Sequence, residues 1–117
     1  MKPSIDEEVL LREAVRLIEE KKGEQTVVID LRDVSIPTGY FVITGADNRA
    51  QVKAIVSELM EKLPMKSIHR EGLSERRWVI LDYGGVVVHV FLREAREFYD
   101  IESLWSDRIV RTQAADT

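Results

Sequence analysis

The residues whose types could do chemistry are concentrated in one segment, "WVILDYGGVVVHVF", residues 78–91. Gly84-Gly85 predicts a two-residue type I′ turn, in which both positions need φ > 0. That loop sets the register of a hairpin, with Ile80 opposite His89 and Trp78 opposite Phe91. Since side chains alternate along a strand, one hairpin face is an ordinary apolar core surface. The other face carries Trp78, Ile80, Asp82, Val87, His89 and Phe91.

An acid and an imidazole on this second face allow two interpretations. The first is a partly covered sheet face, on which His89 and Asp82 satisfy each other or the backbone near the turn. The second is a recognition surface, because Trp and Tyr bury a large area and keep a polar group available. The residues alone leave both open.

Catalysis needs more groups than this face supplies. The chain has no cysteine and no Gly-x-Ser-x-Gly elbow, so no nucleophile is directed at His89. A metal site needs about three convergent ligands. The second histidine, His69, lies beyond an irregular loop. The segment Thr44-Gly45-Ala46-Asp47 before a helix is only a weak candidate for an anion site, and the acid at the helix cap argues against it. We therefore expect a protein that is not an enzyme and has no cofactor or metal.

The 117 residues suit one domain, which we place at residues 1–117 with a core of about 4–109. The net charge of −4 and the pI near 5.2 oppose binding through phosphate neutralisation, despite local basic spots at Arg76-Arg77 and Arg93. We expect little or no direct contact with nucleic acid. The start of the chain has no signal-peptide pattern, and no apolar run approaches the roughly 18 residues of a membrane span. A soluble cytoplasmic protein is expected.

Helices and short strands alternate along the chain. A capping box at Ser4 and Glu7 predicts a helix from Ile5 to about Lys22 with Gly23 at C′, and Val9 belongs to its apolar stripe. Two adjacent strands follow, at 26–31 and 40–44. Asp47 or Asn48 caps a second helix, whose stripe runs from Val52 through Met60 to Leu63 before Pro64. Residues 66–70 are a possible short strand, 101–109 read as helical, and 110–117 are expected to fray.

Three segments together resemble the ribosomal silencing factor family, also called Iojap-like. They are "TGYFVITGADNRAQVKAI", "WVILDYGGVVVHVF" and "REFYDIESLWSD". The resemblance runs from about the first strand to Asp107. Departures at Gly39, Asn48 and the Gly84-Gly85 turn are changes in loops and caps. The resemblance implies an α/β domain: a mixed β-sheet flanked by helices, similar to nucleotidyltransferases but without their catalytic carboxylates.

The resemblance also implies a steric function. Such a factor docks on ribosomal protein fourteen of the large ribosomal subunit, blocks joining with the small subunit and represses translation. Alternatives are a degenerate nucleotidyltransferase fold that binds nucleotide or RNA, and a large-subunit assembly factor. The predicted docking residues are Trp78, Asp82, Tyr83, His89, Phe91, Arg96 and Tyr99. His89 would orient Asp82 or contact the partner. Arg96 has an alternative role, a salt bridge to Glu102 or Glu97, and Trp105 is expected to cap the core. Because an exposed apolar face is a liability, we also expect a homodimer in the free protein.

Overall fold

The architecture is a six-stranded mixed sheet with helices on both faces. The computed structural model describes residues 6–112, with the side chains of residues 6–110. The strands are β1 (Glu24–Asp30), β2 (Tyr40–Ala46), β3 (His69–Glu71), β4 (Trp78–Asp82), β5 (Val86–Leu92) and β6 (Ile109–Thr112). The helices are α1 (Glu7–Glu20), α2 (Arg49–Lys62), α3 (Arg93–Tyr99) and a 3₁₀ segment (Ile101–Arg108).

The sheet order is β3-β4-β5-β2-β1-β6. The central pair β2–β5 is parallel, and every other neighbouring pair is antiparallel. The expected mixed sheet flanked by helices is therefore confirmed, as is the adjacency of β1 and β2. No helix within residues 6–112 has the length and apolar character needed to cross a bilayer.

Thr44 and Gly45, neighbouring residues of β2, show which helix covers which face of the sheet. Thr44 faces the end of α1, because a Cβ on Gly23 would lie 2.5 Å from Thr44 and 2.4 Å from Ile18. A Cβ on Gly45 would instead meet the Arg96 side chain of α3 at 3.3 Å. Since Thr44 and Gly45 point to opposite faces, α1 lies on one face and α3 on the other. Helix α2 packs against α1 in the same layer.

The hairpin register is confirmed, whereas the turn type is wrong. Trp78 lies opposite Phe91, Ile80 opposite His89 and Asp82 opposite Val87. Of the two turn glycines only Gly84 has a left-handed φ, +88°. A type I′ turn needs two such residues, so the turn instead has the φ pattern of type II′.

The predicted ends of α1 are also corrected. The N-cap is Asp6, whose carboxylate accepts from the Glu8 amide at 2.9 Å; Ser4 and Ile5 lie outside the described residues. At the other end Lys22, not Gly23, takes the left-handed C′ position, with φ 64°. The Gly23 amide then donates to the Ile18 carbonyl at 2.9 Å, as in a Schellman motif.

The remaining differences concern short elements and helix surfaces. Residue 109, predicted as the end of a helix, and residues 110–112, expected to fray, form β6 by pairing with β1, and residues 113–117 lie outside the described part. The short strand predicted at 66–70 is formed at 69–71. Asn48 is confirmed as the N-cap of α2. Val9 and Met60, assigned to the apolar stripes, are each 40% exposed.

Candidate partner-binding site

The sheet face opposite α1 is only partly covered. We call its uncovered part the open face, defined by five half-buried side chains from β2, β4 and β5: Phe41, Trp78, Ile80, Asp82 and Val87. These residues share a face because the parallel pairing of β2 with β5 places Phe41 beside Val87. The opposite hairpin face, which includes Val79, Leu81 and Val88, is fully buried.

Helix α3 forms the border of the open face. It follows β5 directly, so the chain turns back over Phe91, which is completely buried. The C-terminal turn of α3 leaves two aromatic side chains accessible, Phe98 at 75% and Tyr99 at 45% exposure. The border therefore adds exposed aromatic area to the open face.

Stacked rings connect this border to the sheet. The Trp78 ring lies 4.8 Å from Phe91 in a stacked arrangement and 4.8 Å from Tyr99. Phe98 meets Tyr99 edge-on at 5.0 Å. Since Phe91 cannot move without disturbing the core, the half-exposed indole rests on a rigid support.

His89 lies beneath the open face and is 6% exposed. Its Nδ1 accepts a hydrogen bond from the Trp78 indole N–H at 3.1 Å, so the proton of the neutral ring is assigned to Nε2. That Nε2 is buried and has no partner within the described residues. Burial lowers the pKa of His89 from 6.5 to about 4, because charging the ring there would cost its hydration.

Asp82 does not pair with His89, so two expectations, that these residues satisfy each other and that His89 orients Asp82, are wrong. The Asp82 carboxylate accepts from the Gly84 amide at 2.8 Å and so stabilises the turn. His89 uses Trp78 instead. The alternative that Asp82 satisfies the backbone near the turn is confirmed.

Arg96 has the structural role that was its alternative. Its guanidinium forms a two-bond ion pair with Glu102, at 3.0 Å for each bond, and also donates to the carbonyls of Glu24 at 2.9 Å and Gln25 at 2.7 Å. The side chain is 10% exposed. Arg96 thus ties α3 to the start of β1 and to the 3₁₀ segment, which fixes the border of the open face. Trp105 packs against the core from that segment, as expected.

Tyr83 is separated from the other predicted residues. It belongs to the buried hairpin face and is 4% exposed. Its hydroxyl is buried without a partner among the described residues, and burial raises the pKa of Tyr83 to about 12. The structure therefore brings Trp78, His89, Phe91 and Tyr99 into contact, places Asp82 at the turn, and leaves Tyr83 on the far side of the sheet.

Sequence reasoning did not single out Phe41 and Phe98. Phe41 meets His89 edge-on at 4.6 Å, but this depends on the pairing of β2 with β5, which no short-range pattern indicates. Phe98 lies beside Tyr99 in the last turn of α3. Its exposure depends on the short length of α3, which the sequence pattern did not define. Within residues 6–112, no three His, Asp or Glu side chains come together as a metal-ligand set.

Comparison with known proteins adds three findings. A family model described as "Ribosomal silencing factor during starvation" matches residues 3–117. Ribosomal silencing factor RsfS of Halalkalibacterium halodurans is 38% identical over 101 residues, covering 84% of this chain and 86% of the relative. A mouse relative, "Mitochondrial assembly of ribosomal large subunit protein 1", is 30% identical over 107 residues, covering 86% of this chain and 47% of its own length.

A solved structure is similar as well. The crystal structure of a protein from Chromobacterium violaceum superposes with a TM-score of 0.81 at 28% identity. The superposition covers 87% of this chain and 88% of that one. The similarity thus extends over nearly the whole sheet-and-helix architecture in both chains.

Proposed function

Because this chain belongs to the ribosomal silencing factor family, we propose that it binds the large ribosomal subunit. The contact is with ribosomal protein fourteen, at the face of the subunit that meets the small subunit. A protein bound there blocks joining of the two subunits by steric exclusion and so represses translation in the cytoplasm. The name of the mouse relative, which refers to the ribosomal large subunit, supports the choice of subunit.

The open face is the single observation on which the docking site depends. Trp78 and Tyr99 serve as anchors, since half-exposed aromatic rings on a rigid support lose little conformational freedom on binding. Exposed Phe98 extends the same apolar surface. Phe91 contributes from below, as the buried ring on which Trp78 stacks.

Polar and charged residues complete the site. Asp82 supplies negative charge at the edge of the open face, and the net charge of −4 favours a basic partner. Arg96 and Tyr83 act indirectly, by holding α3 and the hairpin in place. With this charge balance, contact with ribosomal RNA is minor.

Steric blocking requires binding without catalysis, so no enzymatic step is needed. The Nδ1 of His89 accepts from an indole and the Asp82 carboxylate accepts from a turn amide, so both residues have structural roles in the hairpin. The rival reading, a nucleotide-binding remnant of a nucleotidyltransferase, would give saturable, magnesium-dependent binding of ATP or CTP. We expect none.

When no ribosome is bound, a second copy covers the apolar surface, and the free protein is a homodimer. Sedimentation equilibrium at high concentration measures this directly. A clean species of 13.5 kDa would exclude the dimer.

Cosedimentation with isolated large subunits, small subunits and joined ribosomes tests the proposed function. We expect binding to the large subunit only, and a reduced yield of joined ribosomes when the protein is added first. Trp78→Ala should weaken binding by about 30- to 1,000-fold, the cost of removing an anchor. Met60→Ala, an exposed apolar residue on the α2 side, is the matched control and should bind normally.

Two results would contradict the proposal. Wild-type affinity in folded Trp78→Ala would remove the open face as the docking site. Binding restricted to immature large subunits, without any effect on joining of mature subunits, would favour an assembly role like the one for which the mouse relative is named.

A further inference from the structure

The Trp78 indole is held by contacts of two kinds. Stacking on Phe91 and contact with Tyr99 hold the plane of the ring. The hydrogen bond to His89 Nδ1, 3.1 Å long, involves only the edge that carries the N–H. A half-turn about the Cβ–Cγ bond would keep the ring plane, move the six-membered ring to the opposite side and break this bond.

Such a half-turn is accessible to an exposed indole. The outer torsion of a tryptophan side chain joins a tetrahedral to a planar carbon and has broad, roughly two-fold preferences. The hydrogen bond to His89 is the directional contact that favours one of the two orientations, the one with the N–H edge toward Nδ1.

His89 is suited to be that contact because its own ring is buried and packed against neighbouring rings. It lies on β5 between β2 and β4, it is buried, and Phe41 meets it edge-on at 4.6 Å with an interplanar angle of 68°. The ring is neutral at physiological pH, so Nδ1 keeps the lone pair that accepts the indole proton.

The unpaired Nε2 is a further indication. Buried polar groups usually have a hydrogen-bond partner, so a buried N–H without one among the described residues calls for an explanation other than stability.

We propose that His89 is a positioning residue that fixes the orientation of the Trp78 indole for docking. This inference rests on the proposed function for its consequence, weaker docking, but the fixed orientation itself is a property of the free protein. His89 does not contact the partner. It acts through Trp78, by removing in advance part of the freedom that the indole would otherwise lose on binding.

Two substitutions separate this role from simple packing. His89→Phe keeps an aromatic ring and removes the acceptor. His89→Asn places its Oδ1 at the same bond separation from Cβ as Nδ1, so it keeps the acceptor and loses the ring. We expect His89→Phe to melt no lower than the wild type, since it also removes the unpaired Nε2. It should nevertheless bind isolated large subunits about two- to ten-fold more weakly. His89→Asn should recover most of that affinity.

The ¹⁵N-labelled indole N–H resonances provide a readout that needs no ribosome. The Trp78 signal should shift or broaden in His89→Phe and return toward its wild-type position in His89→Asn, with Trp105 as internal reference. An unchanged Trp78 signal in His89→Phe would overturn the proposal. So would equal losses of binding in both variants, because shape rather than the acceptor would then matter. If the wild type does not bind large subunits, the proposed function fails, and the indole signal still decides the role of His89.

Discussion

Acidification should destabilise this protein through the buried imidazole of His89. The ring is buried beside Phe41 and Trp78, and burial holds its pKa near 4, against 6.5 for an exposed histidine. The unfolded chain therefore takes up a proton as the pH falls through 6.5, while the folded protein does not. The contribution of neutral His89 to the free energy of unfolding is therefore fully present above pH 6.5 and is lost as the pH falls toward 4.

The size of the effect follows from the two pKa values. Each tenfold difference in proton affinity corresponds to about 1.4 kcal/mol. With 6.5 in the unfolded chain and about 4 in the fold, the free energy of unfolding should fall by about 2 kcal/mol at pH 5 and about 3 kcal/mol at pH 4. Asp30, whose pKa the neighbouring Arg32 lowers to about 2, adds its own loss only below pH 4.

Urea denaturation at pH 7, 6, 5 and 4.5 measures this loss, with His89→Asn as the matched control. The control has no titrating group at position 89, and His69 is present in both proteins and cancels. The wild type should lose about 2 kcal/mol more than the control between pH 7 and pH 5. Parallel pH dependence of the two proteins would show that His89 is not held neutral by burial.

Three further substitutions test the frame around the open face, each by urea denaturation. Gly23→Ala should cost about 1–3 kcal/mol, because its Cβ would lie 2.4 Å from Ile18 and 2.5 Å from Thr44; a neutral result would mean that α1 sits further from β2. Arg96→Ala should lower the free energy of unfolding by about 2–3 kcal/mol, because it removes a guanidinium that joins Glu102 to two backbone carbonyls at the start of β1. A loss under about 0.5 kcal/mol would show that Arg96 is in solvent instead. Thr26→Val should cost about 1 kcal/mol by breaking the buried 2.9 Å bond to Thr44, and adding Thr44→Val should cost less than it does alone; strict additivity would refute the pair.

The hairpin shows which parts of the site could be predicted from sequence. Two glycines between two apolar runs fix the loop length, and strand alternation then assigns every side chain to a face. The partner of His89 could not be predicted in this way. Ile80 lies directly opposite His89, and Trp78 and Asp82 are each two residues away from Ile80 on the same strand. Both are therefore diagonal neighbours of the imidazole, and strand alternation cannot distinguish between them. The Gly84 amide takes the carboxylate, and the indole remains as the donor to His89.

Long-range pairing limits the prediction of the fold in the same way. Adjacent β1 and β2 followed from their short connection, but β5 inserts beside β2 after an intervening helix and two strands. β6 is a strand only because the edge of β1 offers it backbone partners, and a segment of four residues has too short a pattern to be recognised. The prediction of Gly23 rather than Lys22 as the C′ residue of α1 was wrong for a local reason. Gly23 is required by its close approach to Thr44 rather than by a positive φ.

The alternation along β4 and β5 also limits how this protein can change over evolutionary time. Core residues such as Val79 and Val88 are interleaved, position by position, with Trp78 and Val87 on the open face and with His89 beneath it. Loss or gain of one codon within either strand would shift the residues on one side of the change to the opposite face, which would bury polar groups and expose the core. A change of length within either strand is therefore destabilising unless a β-bulge absorbs it, and β1 shows such a register shift between Glu24 and Val27. Substitution at alternate positions, by contrast, changes the open face without altering the core face.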